Sequence, residues 1–370
     1  MKTKLIACMI AVMMLTGCGT LGPSMVQRVQ RPYNEALAYS WKEQLLLNLV
    51  RLRYRDDPYF IEVTSINSTY ALNMGAKAEV VWPHAHRQQN KAFAEFGYSE
   101  SPVITYQPLQ GAQYVKRLLG QIPMKMVFDL VNSGWSVERV LKICVQEING
   151  IPNAIDAAGP TPDFLPPYEQ FHLLASNLRK LQLVNLLKVD TDPNYCKTDL
   201  ESLVDPGDKD LYFKIICNGT HPEIVRDVRT ALNLKEDCER YKFTSNLLKP
   251  DSPELIKLKT RTFMGVLYYL SQTVQVPQEH SDAGFVTTTY DSNGNPIDWC
   301  NILGEEMVIR VQLTQPECAS VKVCYRGYWF YIDDRDLSSK SSFMLLSKLF
   351  NIQADSCDHA GPQLTLPIKG

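Results

Sequence analysis

The chain has 370 residues, with a formal net charge of −2 from 38 Lys and Arg against 40 Asp and Glu. Its composition, 45% hydrophobic and 21% charged, is typical of a globular protein of one or two domains. The balance of charge excludes a nucleic-acid-binding protein driven by bulk charge, so no nucleic-acid partner is predicted. No apolar run reaches the roughly 18 residues of a spanning helix, which excludes a multi-pass helical membrane protein.

Residues 1–17 have the pattern of a secretory signal peptide. A short positive start precedes the apolar run LIACMIAVMML, and the LTGC that follows resembles the bacterial lipobox. In that motif the cysteine thiol receives diacylglycerol before cleavage, so Cys18 is the predicted lipidation site and residues 18–30 a lipidated tether. Gly19, rather than an aspartate, follows the cysteine, which favours the outer membrane, with the protein facing the periplasm. The lipid on Cys18 is thus the predicted contact with the membrane.

Residues 31–151 are predicted to form an N-terminal helix, a long β-hairpin and further helices. Apolar residues three or four apart indicate the first helix, at residues 32–53. Alternation over residues 66–82, and again over 92–99, indicates a long hairpin whose polar turn lies at 83–91. Further helices are predicted at residues 111–121, 124–132 and 137–149.

Residues 152–167 carry five prolines and are the predicted linker to a C-terminal region, residues 168–370. Helices are predicted there at residues 168–187, 221–234, 252–273 and 339–351, the last capped by Ser338. Strands are predicted at residues 211–217, 238–244, 307–313 and 321–332. The predicted fold class is α+β: an N-terminal helix plus a long β-hairpin, a helical middle, and a C-terminal antiparallel sheet with a covering helix.

The mature chain has eight cysteines besides Cys18, and an oxidising periplasm permits disulfides among them. Cys217 and Cys238 flank a predicted helix and form a possible disulfide. Cys318 and Cys324 lie in one predicted extended segment, so they are not expected to pair with each other. The sequence leaves the other pairings open.

Motifs for catalysis are missing from the sequence. It has no nucleophile elbow, zinc-protease motif or phosphate-binding loop, so no catalytic residue and no cofactor is predicted. His84 and His86 share a turn, but no further ligands follow at metal-site spacing, so no metal site is predicted. The acidic run at 333–336 suits acid–base chemistry or the N-terminus of a helix, and the helix interpretation is preferred.

Four sequence blocks carry a family resemblance. They are LLLNLVRLRYRDDPYF at 45–60, ITYQPLQG at 104–111, EINGIPNA at 147–154 and YWFYIDDRDLSSKSSF at 328–343. Together they resemble a family of uncharacterised lipoproteins of Gram-negative bacteria. The resemblance implies an envelope lipoprotein, and it brings no activity and no catalytic residue to this chain.

Three functions are compatible with these features. The preferred hypothesis is a non-enzymatic structural or assembly component of a cell-envelope complex, with envelope proteins or further copies of itself as partners. The second is a subunit of an oligomeric outer-membrane pore that uses the 66–99 hairpin, because strands of about 9–11 residues can span a membrane. The third is an envelope hydrolase or glycan-binding protein that uses the aromatic residues at 328–331, although neighbours in a strand divide between its two faces.

Overall fold

The computed structural model describes residues 21–80, 90–159, 162–191, 211–216, 219, 221–303, 305–355 and 363–364. Several predictions fall outside these residues: the signal peptide, lipidation at Cys18, the turn histidines His84 and His86, and the cysteine Cys217.

The described residues form helices and strands that are mixed along the chain, which confirms the predicted α+β class. The helices are α1 (Leu21–Arg53), α2 (Gly111–Tyr114), α3 (Met124–Asn132), α4 (Val137–Cys144), α5 (Glu169–Leu183), α6 (Pro222–Ala231), α7 (Phe263–Ser271), α8 (Gln278–Asp282), α9 (Cys300–Leu303) and α10 (Leu337–Asp355). A π-helical turn, Val115–Leu119, and a 3-10 turn, Ile155–Ala158, join them.

The strands are β1 (Ile61–Val80), β2 (Asn90–Pro108), β3 (Val145–Ile148), β4 (Ile151–Pro152), β5 (Leu187–Thr191), β6 (Leu211–Ile215), β7 (Arg240–Thr244), β8 (Leu255–Thr260), β9 (Arg310–Gln312), β10 (Ala319–Tyr325), β11 (Tyr328–Asp333) and β12 (Gln363–Leu364). Their sheet orders are β12-β1-β2, β10-β11-β9 and β4-β3-β8-β7-β6-β5. The β10-β11-β9 sheet is the antiparallel C-terminal sheet that the sequence predicts.

The chain divides into two compact units, at positions other than the expected linker. The larger unit comprises residues 1–58 and 117–352, and the hairpin unit comprises residues 59–116 and 353–370. The proposed linker, 152–167, lies within the larger unit. Asn153 and Ala154 in this segment are fully buried, because β4 and the 3-10 turn pack into the core despite the many prolines.

The core of the larger unit lies against the six-stranded sheet, in which β7 and β8 are parallel and the other pairs antiparallel. Phe128 on α3 packs against Phe243 on β7, with ring centroids 4.4 Å apart, and Phe213 on β6 lies 5.6 Å from Phe243. Burial of such aromatic side chains is a main source of stability for a sheet covered by helices.

The predicted helix over residues 252–273 is wrong in its first half, which forms β8. In the segment LIKLKT, Ile256, Leu258 and Thr260 are buried, while the residues between them are half-exposed. This period-two pattern pairs with β3 and β7, and the pairing overrides the apparent helix start at Ser-Pro-Glu. Helix α7 begins only after Thr262, whose hydroxyl accepts a hydrogen bond from the Gly265 amide at 2.9 Å.

Other predicted helix boundaries also differ from the observed ones. The helix predicted over 137–149 ends at Cys144 and continues as β3, and the one predicted over 168–187 ends at Leu183. The predicted tether is helical from Leu21, since α1 includes Pro32 and begins well before the periodic apolar pattern does. Periodicity alone therefore located the helices but missed stretches without an apolar face.

The hairpin unit confirms the predicted long hairpin. Strands β1 and β2 pair antiparallel from Ile61 opposite Pro108 to Val80 opposite Asn90, with one irregularity between Val63 and Ser65. Strand β12 adds a parallel pairing to β1 over two residues only.

Candidate functional surfaces

The register of the hairpin aligns the two strands' apolar residues. Residues facing each other across the pairing alternate between the two sides of a sheet, so every second pair shares a face. One face combines the pairs Leu72–Tyr98, Met74–Phe96, Ala76–Ala94 and Ala78–Ala92. The other combines Asn73–Gly97, Gly75–Glu95, Lys77–Phe93 and Glu79–Lys91. The hairpin is therefore apolar on one face, named here the apolar face, and predominantly polar on the other.

The apolar face runs from about Tyr70 to Val80 along β1. At about 3.3 Å per residue, this stretch covers roughly 33 Å of strand. A strand tilted by about 45° needs about 9–11 residues to cross a bilayer. Along β1, the apolar face thus has the length of a membrane-crossing strand. On β2, Glu100 lies opposite Tyr70 and Asn90 lies opposite Val80, so the pairs that are apolar on both strands run from Leu72–Tyr98 to Ala78–Ala92.

A network of buried charges connects α4 to the start of α10. The Arg139 guanidinium donates to the Ser338 carbonyl at 2.7 Å and to Ser342 Oγ at 3.2 Å. Lys142 Nζ lies 2.8 Å from Glu138 and 3.4 Å from Glu306, whose side chain is 8% exposed. Burial acts to lower the pKa of Lys142, but the hydrogen bonds and charges of these two carboxylates outweigh it, so that pKa is raised. Each charge in this network has a partner of opposite sign.

Arg261 is different, because its cationic group is buried without a carboxylate. The residue is 1% exposed; its Nη2 donates to the Asn153 carbonyl, and its guanidinium carbon lies 4.0 Å from the centre of the Tyr269 ring. Nε and Nη1 make no hydrogen bond with any described residue. Burial lowers the pKa of Arg261 to about 10. This site was not predicted from the sequence, since a single Arg after an alternating segment has no distinctive pattern.

A second cluster connects the end of α1 to the turn between β10 and β11. The hydroxyl of Tyr54 and Nδ1 of His280 lie 2.8 Å apart, and burial raises the pKa of Tyr54 to about 12. Arg326 lies 5.0 Å from the Tyr54 ring centre and 3.0 Å from the carboxylate of Asp56, which also accepts a hydrogen bond from Tyr325. Asp56 balances the Arg326 charge. Together, these contacts hold the end of α1 against the C-terminal sheet.

The acidic run at 333–336 has the structural role that the sequence favoured. The carboxylate of Asp336 accepts from the Ser339 amide at 3.0 Å and so caps α10, and Asp334 pairs with Lys340 at 2.6 Å. The predicted cap, Ser338, is wrong, because its hydroxyl instead accepts from Arg139 and donates to the Glu305 carbonyl.

The aromatic residues at 328–331 divide between core and surface. Phe330 is buried, with its ring 6.2 Å from that of Tyr54, while the other three are half-exposed. The Tyr328 ring lies 5.2 Å from that of His280, on the same side as Phe330. These residues therefore do not form one continuous stacking platform.

The described cysteines, which are Cys144, Cys238, Cys300, Cys318 and Cys324, form no disulfide with one another. The disulfide between Cys217 and Cys238 stays a prediction, since Cys217 is outside the described residues. The described residues contain no group of three His, Cys, Asp or Glu side chains that would hold a metal ion. None of the described helices combines the length and hydrophobicity that crossing a membrane requires.

Comparison of the chain with protein-family models, with curated proteins and with solved structures finds no match.

Proposed function

We propose that this protein is an outer-membrane lipoprotein, anchored through Cys18 and facing the periplasm, that serves as a non-enzymatic assembly component of a cell-envelope complex. The lipobox at residues 15–18 supports the anchor and the compartment. The segment that supports assembly is the hairpin.

The observation that carries the proposal is the mismatch between the size of the hairpin and its pairing. Strands of 20 and 19 residues pair along their whole length, yet among the described residues the only further strand is β12, which covers two positions. A two-stranded ribbon is marginally stable in water, and it needs more strands or a covering layer. The long unpaired edges and the apolar face are therefore suited to other copies of the hairpin or to envelope partners.

A pore subunit is a second candidate, favoured by one specific observation. The apolar residues of β1 extend over the length of a membrane-crossing strand, and the opposite face carries Lys77, Glu79, Lys91 and Glu95. In an oligomeric pore, those polar residues would face the aqueous channel. Planar-bilayer recordings test this. Replacing Glu79 and Glu95 by Lys should move the ion selectivity towards anions, and an absence of channel conductance in the unaltered protein contradicts the pore.

The experiment for the main proposal is extraction of the native protein from membranes in mild detergent. The mass of the complex and the identity of accompanying proteins are then measured by native mass spectrometry. We expect a complex of several chains, and a mass increase on the N-terminal peptide corresponding to lipid on Cys18. The Cys18→Ser variant should lose that modification and leave the membrane fraction. A lipidated monomer without partners contradicts an assembly role.

A further inference from the structure

The larger unit contains a cavity of about 390 Å3 beside the buried Arg261. Arg261, Thr262 and Gly265 line it at the start of α7, while Gln146 on β3 and Asp156 on the 3-10 turn contribute polar groups. Helix α7 has nine residues, and its N-terminus has a partial positive charge. The cavity therefore lies where a helix end and a buried cation occur together.

The polar groups near this cavity are incompletely satisfied. Nε and Nη1 of Arg261 are buried without a hydrogen-bond partner among the described residues. Nε2 of His172 on α5, which does not line the cavity, is also buried without such a partner. The charges of Arg261 and Lys142 both act to lower the pKa of His172, so the three groups lie within electrostatic reach of one another. Orphaned buried donors of this kind call for a water, an ion or a ligand.

The charges around the cavity indicate the sign of the missing group. Lys142 and Arg139 are matched by the carboxylates of Glu138 and Glu306. No carboxylate of a described residue lies within 4.0 Å of the Arg261 guanidinium, and its contacts are to a ring and a carbonyl. Among the described residues, the Arg261 charge thus has no carboxylate partner, and a buried charge without a counter-ion is strongly destabilising.

We propose that this cavity, named here the Arg261 cavity, binds a small monoanion through a carboxylate group that pairs with Arg261. A carboxylate supplies one negative charge and several acceptor positions, which match one guanidinium with free donors. A doubly charged phosphate fits less well, because among the described cations around the cavity only Arg261 lacks a carboxylate partner and because the exposed carboxylate of Asp156 also lines the cavity. The site is a ligand-binding function additional to the assembly role and independent of it.

The test is a titration of the full-length, detergent-purified protein with acetate, formate and inorganic phosphate at constant ionic strength. Binding is followed by calorimetry and by the thermal unfolding temperature, with chloride as the ionic-strength control. We expect saturable binding of acetate or formate that raises the unfolding temperature, and weaker binding of phosphate. An absence of saturable carboxylate binding overturns the site, and saturable binding of phosphate alone overturns the assignment to carboxylates.

Two variants test whether the carboxylate binds in this cavity, and both retain Arg261. Gln146→Glu introduces a carboxylate into the cavity itself, so the unliganded variant should unfold at a higher temperature and bind acetate about tenfold more weakly. Gln312→Glu, at a half-exposed strand position in another sheet, is the matched control and should change neither. Asp156→Asn removes the exposed negative charge and should strengthen acetate binding. Undiminished binding in Gln146→Glu together with unchanged binding in Asp156→Asn overturns the proposal.

Discussion

The two units of the chain bury their strands in different ways. In the larger unit, helices cover a six-stranded sheet, and residues such as Tyr241, Phe243 and Ile256 are at most 1% exposed. In the hairpin unit, two much longer strands have only a two-residue third strand beside them among the described residues. The larger unit has the features of a self-sufficient fold, whereas the hairpin has those of an element completed by a partner.

The largest expected effect comes from shortening the hairpin. Asn67 and Val103 lie directly opposite each other, so residues 68–102 can be replaced by an Asn-Gly turn without changing the register at the base. We expect loss of the multi-chain complex, while the larger unit retains its unfolding temperature to within about 2 °C. Size analysis checks the loss of the complex, and thermal unfolding followed by circular dichroism checks the stability of the larger unit. Unfolding of the larger unit in this variant would show that the two units are not independent.

The next effect concerns the buried charges that are particular to the larger unit. Glu306→Gln leaves Arg139 and Lys142 with one carboxylate fewer in a buried environment. We expect a loss of about 3 kcal/mol in the free energy of unfolding, measured by urea denaturation. Glu138→Gln, at a position where the side chain is 23% exposed, is the matched control and should cost about 1 kcal/mol. Equal losses of unfolding free energy in the two variants would mean that burial does not determine how much each carboxylate contributes to stability.

The pH dependence of stability gives a smaller effect, also confined to the larger unit. Burial, with the nearby charges of Lys142 and Arg261, lowers the pKa of His172 to about 4. The unfolded chain binds a proton at this histidine near pH 6.5 and the folded chain does not, so stability is lost as the pH falls from 6.5 to about 4.

The His172→Phe variant removes this contribution. Between pH 7.5 and pH 4.5, the variant should lose about 2 kcal/mol less unfolding free energy than the unaltered protein, a value reduced because the ring is only partly buried. Urea denaturation at several pH values measures the difference. His221→Asn, at an exposed position with positive φ that Asn tolerates, is the control. Parallel pH profiles for His172→Phe and the unaltered protein would contradict the assigned shift.

The smallest effect distinguishes the observed helix cap from the predicted one. Asp336→Ala removes the acceptor for the Ser339 amide at the start of α10 and should cost about 1 kcal/mol of unfolding free energy. The Asp334→Ala variant removes an exposed pair with Lys340 and should cost less than about 0.5 kcal/mol. Thermal unfolding of the two variants, compared side by side, separates capping from surface pairing.

The sequence predicted the hairpin better than the mixed sheet, for a physical reason. Alternation within β1 and β2 is local, so each strand is visible by itself, and an antiparallel neighbour follows from the turn between them. Strand β8 pairs with β3 and β7, which lie far away along the chain, and residues before it imitate a helix start. Pairing with distant partners overrides local preference there, and periodicity cannot detect it.

The candidate sites also divide into local features, which the sequence predicts, and features that depend on distant residues, which it does not. The alternating residues of the hairpin predicted its two faces, although the register that joins them required the structure. Arg261 was not predicted, because its burial depends on Tyr269, Asn153 and the surrounding core rather than on its neighbours in sequence. The cap of α10 was misplaced by two residues, since both Asp336 and Ser338 are suitable capping residues and the contact of Ser338 with Arg139 is non-local.

The mass of the detergent-extracted complex in two matched double variants tests the central claim, that the apolar face of the hairpin is completed by partners. One variant carries Leu72→Asp and Phe96→Asp on the apolar face, and the other carries Asn73→Asp and Ser99→Asp on the opposite face. Both add two negative charges to neighbouring positions of the same strands. We predict that the opposite-face variant retains the mass of the native complex and that the apolar-face variant falls to a monomer. An apolar-face variant with the native mass would contradict the account.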